Sequence, residues 1–493
     1  MGTTPSKPAN STVEPETSEK LAQSFAGLEV TASTSPVSAN GSLSSQNIES
    51  WERAVSSSKT KLSRSILVHS DISSALLSRP ALISNSHLFN VELDTKTSPI
   101  TNQKSSGRCW LFASTNVMRY EITRKLKLDD FQLSQSYLFF YDKLNKANYY
   151  LENMIELADQ PIDDRVVSFL SSDLISDGGQ WDMVVNLVEN YGLVPQTVFP
   201  ESTHSSLSSP INSLLKTKLR EHALILRRAY ASMQTQGLSK GTVIAALRVK
   251  KEELMKDVYN IMTATLGVPP GPNDKFVWEY QSQGKVGRWE GTPLQFYKTF
   301  VSPQADSFSL INDPRNAYST LFTVDRLGNV FGGRPVLYVN TEVENMKSVV
   351  VKMVKAGVPV FFGCDVGEQI LLSCRRCHGP YCLQLRGCST FDITLGLTKA
   401  ERLQINESAM THAMVISGVH LDSNGSPVRF KVENSWGPDV GDKGYFVMSS
   451  AWFDEFVYQV VVPRGYAPKD LLRVYDNGNP VVLPPYDPMG ALA

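Results

Sequence analysis

The sequence predicts an α+β chain in two lobes, helical first and β-rich second. Three observations carry that expectation. An amphipathic pattern with Leu111, Phe112, Val117, Met118 and Ile122 begins straight after the small-polar run that ends at Cys109, as the first turns of a helix would. Met346, Val349, Val350, Met353 and Val354 fall on one stripe of a helix over residues 344–356, which Gly357 ends and a buried strand from Pro359 to Gly363 follows. Strand-like runs over residues 411–416 and 428–434 flank the turn signal Asn424-Gly425, so they read as a hairpin.

At 493 residues the chain has room for several domains' worth of core. Its 48 basic and 49 acidic residues nearly cancel, so net charge draws it toward neither nucleic acid nor a membrane surface. No apolar run reaches the ~18 residues of a membrane span. Six cysteines in so long a chain do not make a disulfide scaffold. Residues 1–45 are rich in Ser, Thr, Pro and Ala and poor in aromatics, which predicts a disordered tail. The tail has no apolar core of a secretory signal, and its lack of arginine together with Glu14, Glu16 and Glu19 argues against a mitochondrial leader.

Residues 46–199 read as the helical lobe. Cys109 stands at the first turn of its helix, where free N–H groups and the positive end of the dipole favour a thiolate and should lower its pKa. Gln103, one short loop upstream, carries an amide. That N–H and the backbone N–H of Cys109, aimed at one point, would form an oxyanion hole for acyl transfer. Ser134 to Tyr141 looks buried, and Asp177-Gly178-Gly179-Gln180 marks a turn.

Residues 200–333 carry a helical pattern over 243–259 and a stretch from Trp278 to Trp289. The run Lys250-Lys251-Glu252-Glu253 reads as a solvated helix face. Residues 334–470 form the β-rich lobe. Folding its hairpin about Asn424-Gly425 puts His412 within about two residues, or 7 Å, of Asn434. An Asn434 carbonyl would fix the tautomer of His412 and leave the other ring nitrogen for the sulfur, while Trp436 shields the bond from water. A nucleophilic cysteine needs such a base and orienter. With Cys109 in one lobe and His412 in the other, the cleft lies between them.

Two stretches stand apart. Cys374, Cys377, Cys382 and Cys388, with His378, have a spacing that could wrap one zinc ion, but the last two intervals match no common zinc knuckle or ribbon. A loop of reduced thiols, with no metal, is the expectation. Residues 471–493 hold Asn477-Gly478-Asn479-Pro480 and Pro484-Pro485-Tyr486-Asp487-Pro488, which exclude helix and sheet interior and predict an extended arm.

Gln103, Gly107-Arg108-Cys109-Trp110, Thr411-His412-Ala413 and Asn434-Ser435-Trp436-Gly437 resemble the signature of papain-like cysteine peptidases. Ser105 to Ala113, Asp177 to Met183, Leu397 to Arg402, Met410 to Val415 and Val432 to Gly437 are similar to the bleomycin hydrolase family in particular, and the likeness runs from about residue 50 to the end. It implies a papain-like fold with a large helical insertion at 200–333, since His412 follows Cys109 by 303 positions where a minimal papain-like enzyme has about 130–150. It also implies a cysteine aminopeptidase that needs no cofactor and forms a homohexamer through that insertion. Gly178 and Gly179 would bring backbone close to an extended substrate, and the carboxylate of Ala493, at the end of an arm lying in the cleft, would face the substrate's free amine. Bleomycin and homocysteine thiolactone are further substrates that the likeness implies. An arm that does not gate the cleft would leave an endopeptidase, and loss of activity a scaffold on a peptidase fold. A working thiolate suits the cytoplasm. Fungal members have forms linked to mitochondria, which keeps a mitochondrial form in view. Some members bind nucleic acid, for which net charge gives no support here.

Overall fold

A computed structural model describes residues 41–75, 83, 86–301, 306–366, 391 and 395–492. Most of the expected tail, the cysteine cluster at 374–388 and Ala493 lie outside the described residues. The chain divides into two compact units. The smaller includes helices Ser45–Ala54, Ser58–Leu67 and Ile72–Ala75. Ser44 and Ser57 cap the first two, their hydroxyls accepting from the N–H groups of Asn47 and Thr60.

The larger unit spans residues 76–388 and 394–493 and holds every candidate site residue. Its strands are β1 (Val91–Glu92), β2 (Phe276–Ser282), β3 (Lys285–Gly291), β4 (Ser307–Ile311), β5 (Thr320–Val324), β6 (Tyr338–Asn340), β7 (Val360–Cys364), β8 (His412–Leu421), β9 (Pro427–Glu433), β10 (Tyr445–Ser449), β11 (Val457–Pro463) and β12 (Val481–Leu483). Ten of them form one sheet in the order β10-β9-β8-β7-β11-β4-β6-β5-β12, with β1 paired to β8. β2 and β3 make a separate hairpin that sets Trp278 opposite Trp289. Its longer helices are α1 (Cys109–Leu126), α2 (Gln135–Glu156), α3 (Trp181–Tyr191), α4 (Ser209–Gln234), α5 (Lys240–Leu266) and α6 (Val343–Lys355).

The β8–β9 hairpin forms as its turn signal requires. Gly425 takes a φ of 81° in the tip, and Leu421 pairs with Pro427. α6 buries the expected stripe of Met346, Val349, Val350, Met353 and Val354 against the sheet. A second core gathers Trp110, Tyr137, Phe139 and Trp181 from α1, α2 and α3. α1 packs across β8, which brings the two ends of the sequence together.

Three sequence expectations need correction. Lys251 is buried, with Nζ 2.6 Å from Asn148 Oδ1 and 2.8 Å from Glu152 Oε1. Consecutive helical residues point about 100° apart, so a run of four charges cannot share one solvated face. β4 and β5, which the 200–333 boundary gave to the insertion, are strands of the main sheet. Residues 469–477, read in part as extended arm, form a helix that stops at Gly478.

Candidate active site

Cys109 opens α1 and is 2% exposed. The backbone N–H groups of Ala413, Trp110 and Cys109 itself favour a thiolate there. Burial nevertheless pushes the thiol up to about 11, against the lowering expected from the helix terminus. The reason is desolvation: three N–H groups do not replace the water a lone thiolate would hold.

His412 is the first residue of β8, and Nε2 lies 2.9 Å from Asn434 Oδ1. The N–H of Ser435 donates to the same oxygen at 2.7 Å, so the amide is held with its carbonyl toward the imidazole. Extending the register from Val415 opposite Glu433 puts Asn434 opposite Met414, two residues from His412 as expected. Trp436 stacks on the imidazole, centroids 4.9 Å apart at 24°, and covers the bond. Burial pushes His412 down to about 4, although the Asn434 bond works the other way. Burial thus disfavours the charged form of each group.

Gln103 is held from the Asn434 side. Its backbone N–H donates to Ser435 O at 2.8 Å, and the Ser435 hydroxyl donates to its Oε1 at 2.7 Å. Nε2 donates to Ser106 O at 2.7 Å, and an amide nitrogen has a second N–H. The adjoining Gly437 N–H bonds Thr101 O at 3.0 Å. Gly437 has a φ of 84°, and a Cβ there would come within 2.5 Å of the Asn102 amide, so only glycine fits. Ser435 was not singled out from sequence, where it read as part of a turn.

Gly178 and Gly179 are buried beside α1. The Lys146 ammonium donates to Ser176 O at 2.9 Å and to Gly178 O at 2.6 Å, and Trp110 Nε1 donates to Asp177 O at 2.6 Å. A Cβ on Gly179 would meet the Trp110 ring at 2.5 Å.

The C-terminal segment docks instead of fraying. β12 pairs parallel with β5, Asp487 bridges Arg315 at 2.8 Å, and Met489 is buried. Gln180 Nε2 then donates to Ala491 O at 2.5 Å, which fixes the arm beside the glycine pair.

The peptidase C1-like family matches this chain over residues 42–490. The chain belongs to that family. Within it, cysteine proteinase 1, mitochondrial, of Saccharomyces cerevisiae is 39% identical over 463 residues, covering 92% of this chain and 94% of the relative. Human bleomycin hydrolase is 39% identical over 441 residues, covering 86% and 92%. The crystal structure of PepW from Lactobacillus rhamnosis superposes with a TM-score of 0.85 at 40% identity, covering 92% of this chain and all of that one. The fold is therefore papain-like, and as a peptidase C1-like enzyme the chain is a cysteine peptidase. Among the described residues no three His, Cys, Asp or Glu side chains cluster as metal ligands.

Proposed function

We propose that the chain is a thiol aminopeptidase of the bleomycin hydrolase type, with Cys109 as nucleophile, His412 as base and acid, Asn434 as its orienter and Gln103 in the oxyanion hole. The His412–Asn434 bond of 2.9 Å under Trp436, on the strand that packs against the helix opened by Cys109, is the observation that carries it.

The ring nitrogen not engaged by Asn434 takes the thiol proton, giving an imidazolium–thiolate pair, and the sulfur attacks the first peptide carbonyl. The second Gln103 Nε2–H and the Cys109 N–H stabilise the oxyanion. His412 passes its proton to the leaving amine, which departs and leaves an acyl thioester. It then takes a proton from water, whose attack releases the acid and restores the thiol.

Peptides with a free N-terminus are the substrate class, because the arm fixed by Gln180 and Ala491 supports blockage of the cleft beyond one residue. A terminal carboxylate on Ala493 would pair with the substrate ammonium and reject blocked ends. The buried Gly178 and Gly179 would line the substrate backbone. The thiol chemistry suits the cytoplasm, the yeast relative's name supports a mitochondrial form as well, and the insertion is read as the contact surface of a homohexamer.

Hydrolysis of an amino acid amide tests the nucleophile. Wild type should cleave it and lose activity on alkylation, while folded Cys109→Ala should be inactive. Activity surviving in Cys109→Ala would remove Cys109 from the chemistry.

A further inference from the structure

The insertion enters the larger unit directly behind the nucleophile. Ser105 N donates to Ser206 O at 3.0 Å, and Arg108 Nη2 lies 2.9 Å from Glu201 Oε2, so the loop before Cys109 is stitched to residues 201–208. One buried carboxylate gathers these parts. Asp177 Oδ1 accepts from Lys143 Nζ at 2.6 Å and Asn212 Nδ2 at 2.8 Å, and Oδ2 accepts from Ser208 Oγ at 2.5 Å and the Gly107 N–H at 3.1 Å. Its own backbone carbonyl takes the Trp110 indole N–H at 2.6 Å. Asp177 thus holds the chain two residues before Cys109 and one residue after it, and half of its side-chain donors belong to the root of the insertion.

We propose that Asp177 is a positioning residue through which the insertion, by way of Ser208 and Asn212, sets both the placement of Cys109 and the ease with which its thiolate forms. The inference rests on Cys109 being the nucleophile. Four donors spread the carboxylate's charge, and Lys143 opposes it, so the field that Asp177 exerts on the sulfur depends on insertion side chains. The Asp177 charge disfavours the thiolate, and Lys143 lies 2.6 Å from that carboxylate. Other titratable and charged groups on elements packed against α1 are His412 on β8, Cys364 on β7, and Lys146 and Asp142 on α2, with the Arg108–Glu201 pair beside the start of α1.

The test is the pH dependence of Cys109 alkylation by iodoacetamide, followed on the Cys109 peptide by mass spectrometry, with kcat and KM alongside. S208A/N212A leaves the Asp177 charge less satisfied and should move the alkylation midpoint up by roughly half a pH unit. D177N removes the negative charge, so its midpoint should move down. Both loosen the loop and should lower kcat on the order of tenfold with KM changed less than about twofold. S208T keeps the hydroxyl and should restore the wild-type midpoint and kcat.

Midpoints that stay fixed, or move in the same direction in both variants, would overturn the proposal. If D177N does not fold, S208A/N212A decides alone: an upward midpoint supports it, and an unchanged or lower one overturns it. Wild-type protein without thiol-dependent cleavage would instead count against the peptidase role of Cys109, and the alkylation midpoints would still report on Asp177.

Discussion

Arg119 and Glu433 form an enclosed ion pair that ties the helix opened by Cys109 to the strand leading into Asn434. Arg119 Nη2 lies 2.9 Å from Glu433 Oε1, and their side chains are 0% and 7% exposed. Nη1 also donates to Pro99 O at 2.8 Å and Phe131 O at 3.2 Å. Glu433 is the residue before Asn434, so the pair fixes where Asn434 leaves β9. Removing one partner strands the other charge, and Arg119→Met should cost about 3–5 kcal/mol in denaturant unfolding. A loss under about 1 kcal/mol, the level of an exposed pair, would show that water reaches Glu433.

Burial depresses His412, which sets a sign for stability against pH. The unfolded imidazole titrates near 6.5 and the folded one near about 4, so between those values the unfolded chain binds more protons. Stability is full above 6.5 and falls as pH drops toward 4, by about 3 kcal/mol in all. The effect should be clearest in Cys109→Ala, which has no thiolate to pair with an imidazolium. Unfolding of Cys109→Ala from pH 7 to 4 should show that fall, and Cys109→Ala/His412→Ala should lose this part of it. Equal slopes in the two proteins would place the titrating group elsewhere.

Ser435 orients the amide of Gln103 through the 2.7 Å bond to Oε1. With Gln103 in the oxyanion hole as proposed, Gln103→Ala should lower kcat by about 10²–10³ with little change in KM. Ser435→Ala frees the amide without removing it and should give a smaller fall, on the order of tenfold, again in kcat. A rise in KM alone would put both residues in substrate binding.

Gly179 leaves no room for a side chain, since its Cβ would sit 2.5 Å from the Trp110 ring. Gly179→Ala should destabilise by about 1–3 kcal/mol and reduce kcat, because the displaced indole belongs to Trp110, the residue after Cys109. A wild-type melting curve would show that the ring can move aside freely.

Much of this site was legible in the sequence because its signals are local. Asn424-Gly425 and the alternating residues around it fix a register, and the register brings His412 to Asn434. The glycine-led run before Cys109 marks a helix start. What escaped depends on long separations: Asp177 meets Gly107 across 70 positions, and Arg119 meets Glu433 across 314. Their charges carry no pattern that names a partner. The helix at 469–477 is hard to see in the sequence for a different reason: prolines at 480, 484 and 485 follow closely on its stop at Gly478.

On the proposed function, a docked C-terminal arm makes this cysteine peptidase an aminopeptidase. The most direct test compares a fluorogenic amino acid amide with the N-acetylated form, using the intact chain and one ending at Met489. The intact chain should cleave only the free amine, and truncation should open the cleft to the acetylated substrate. Equal cleavage of both substrates by the intact chain would contradict the claim and leave an endopeptidase whose arm does not gate the cleft.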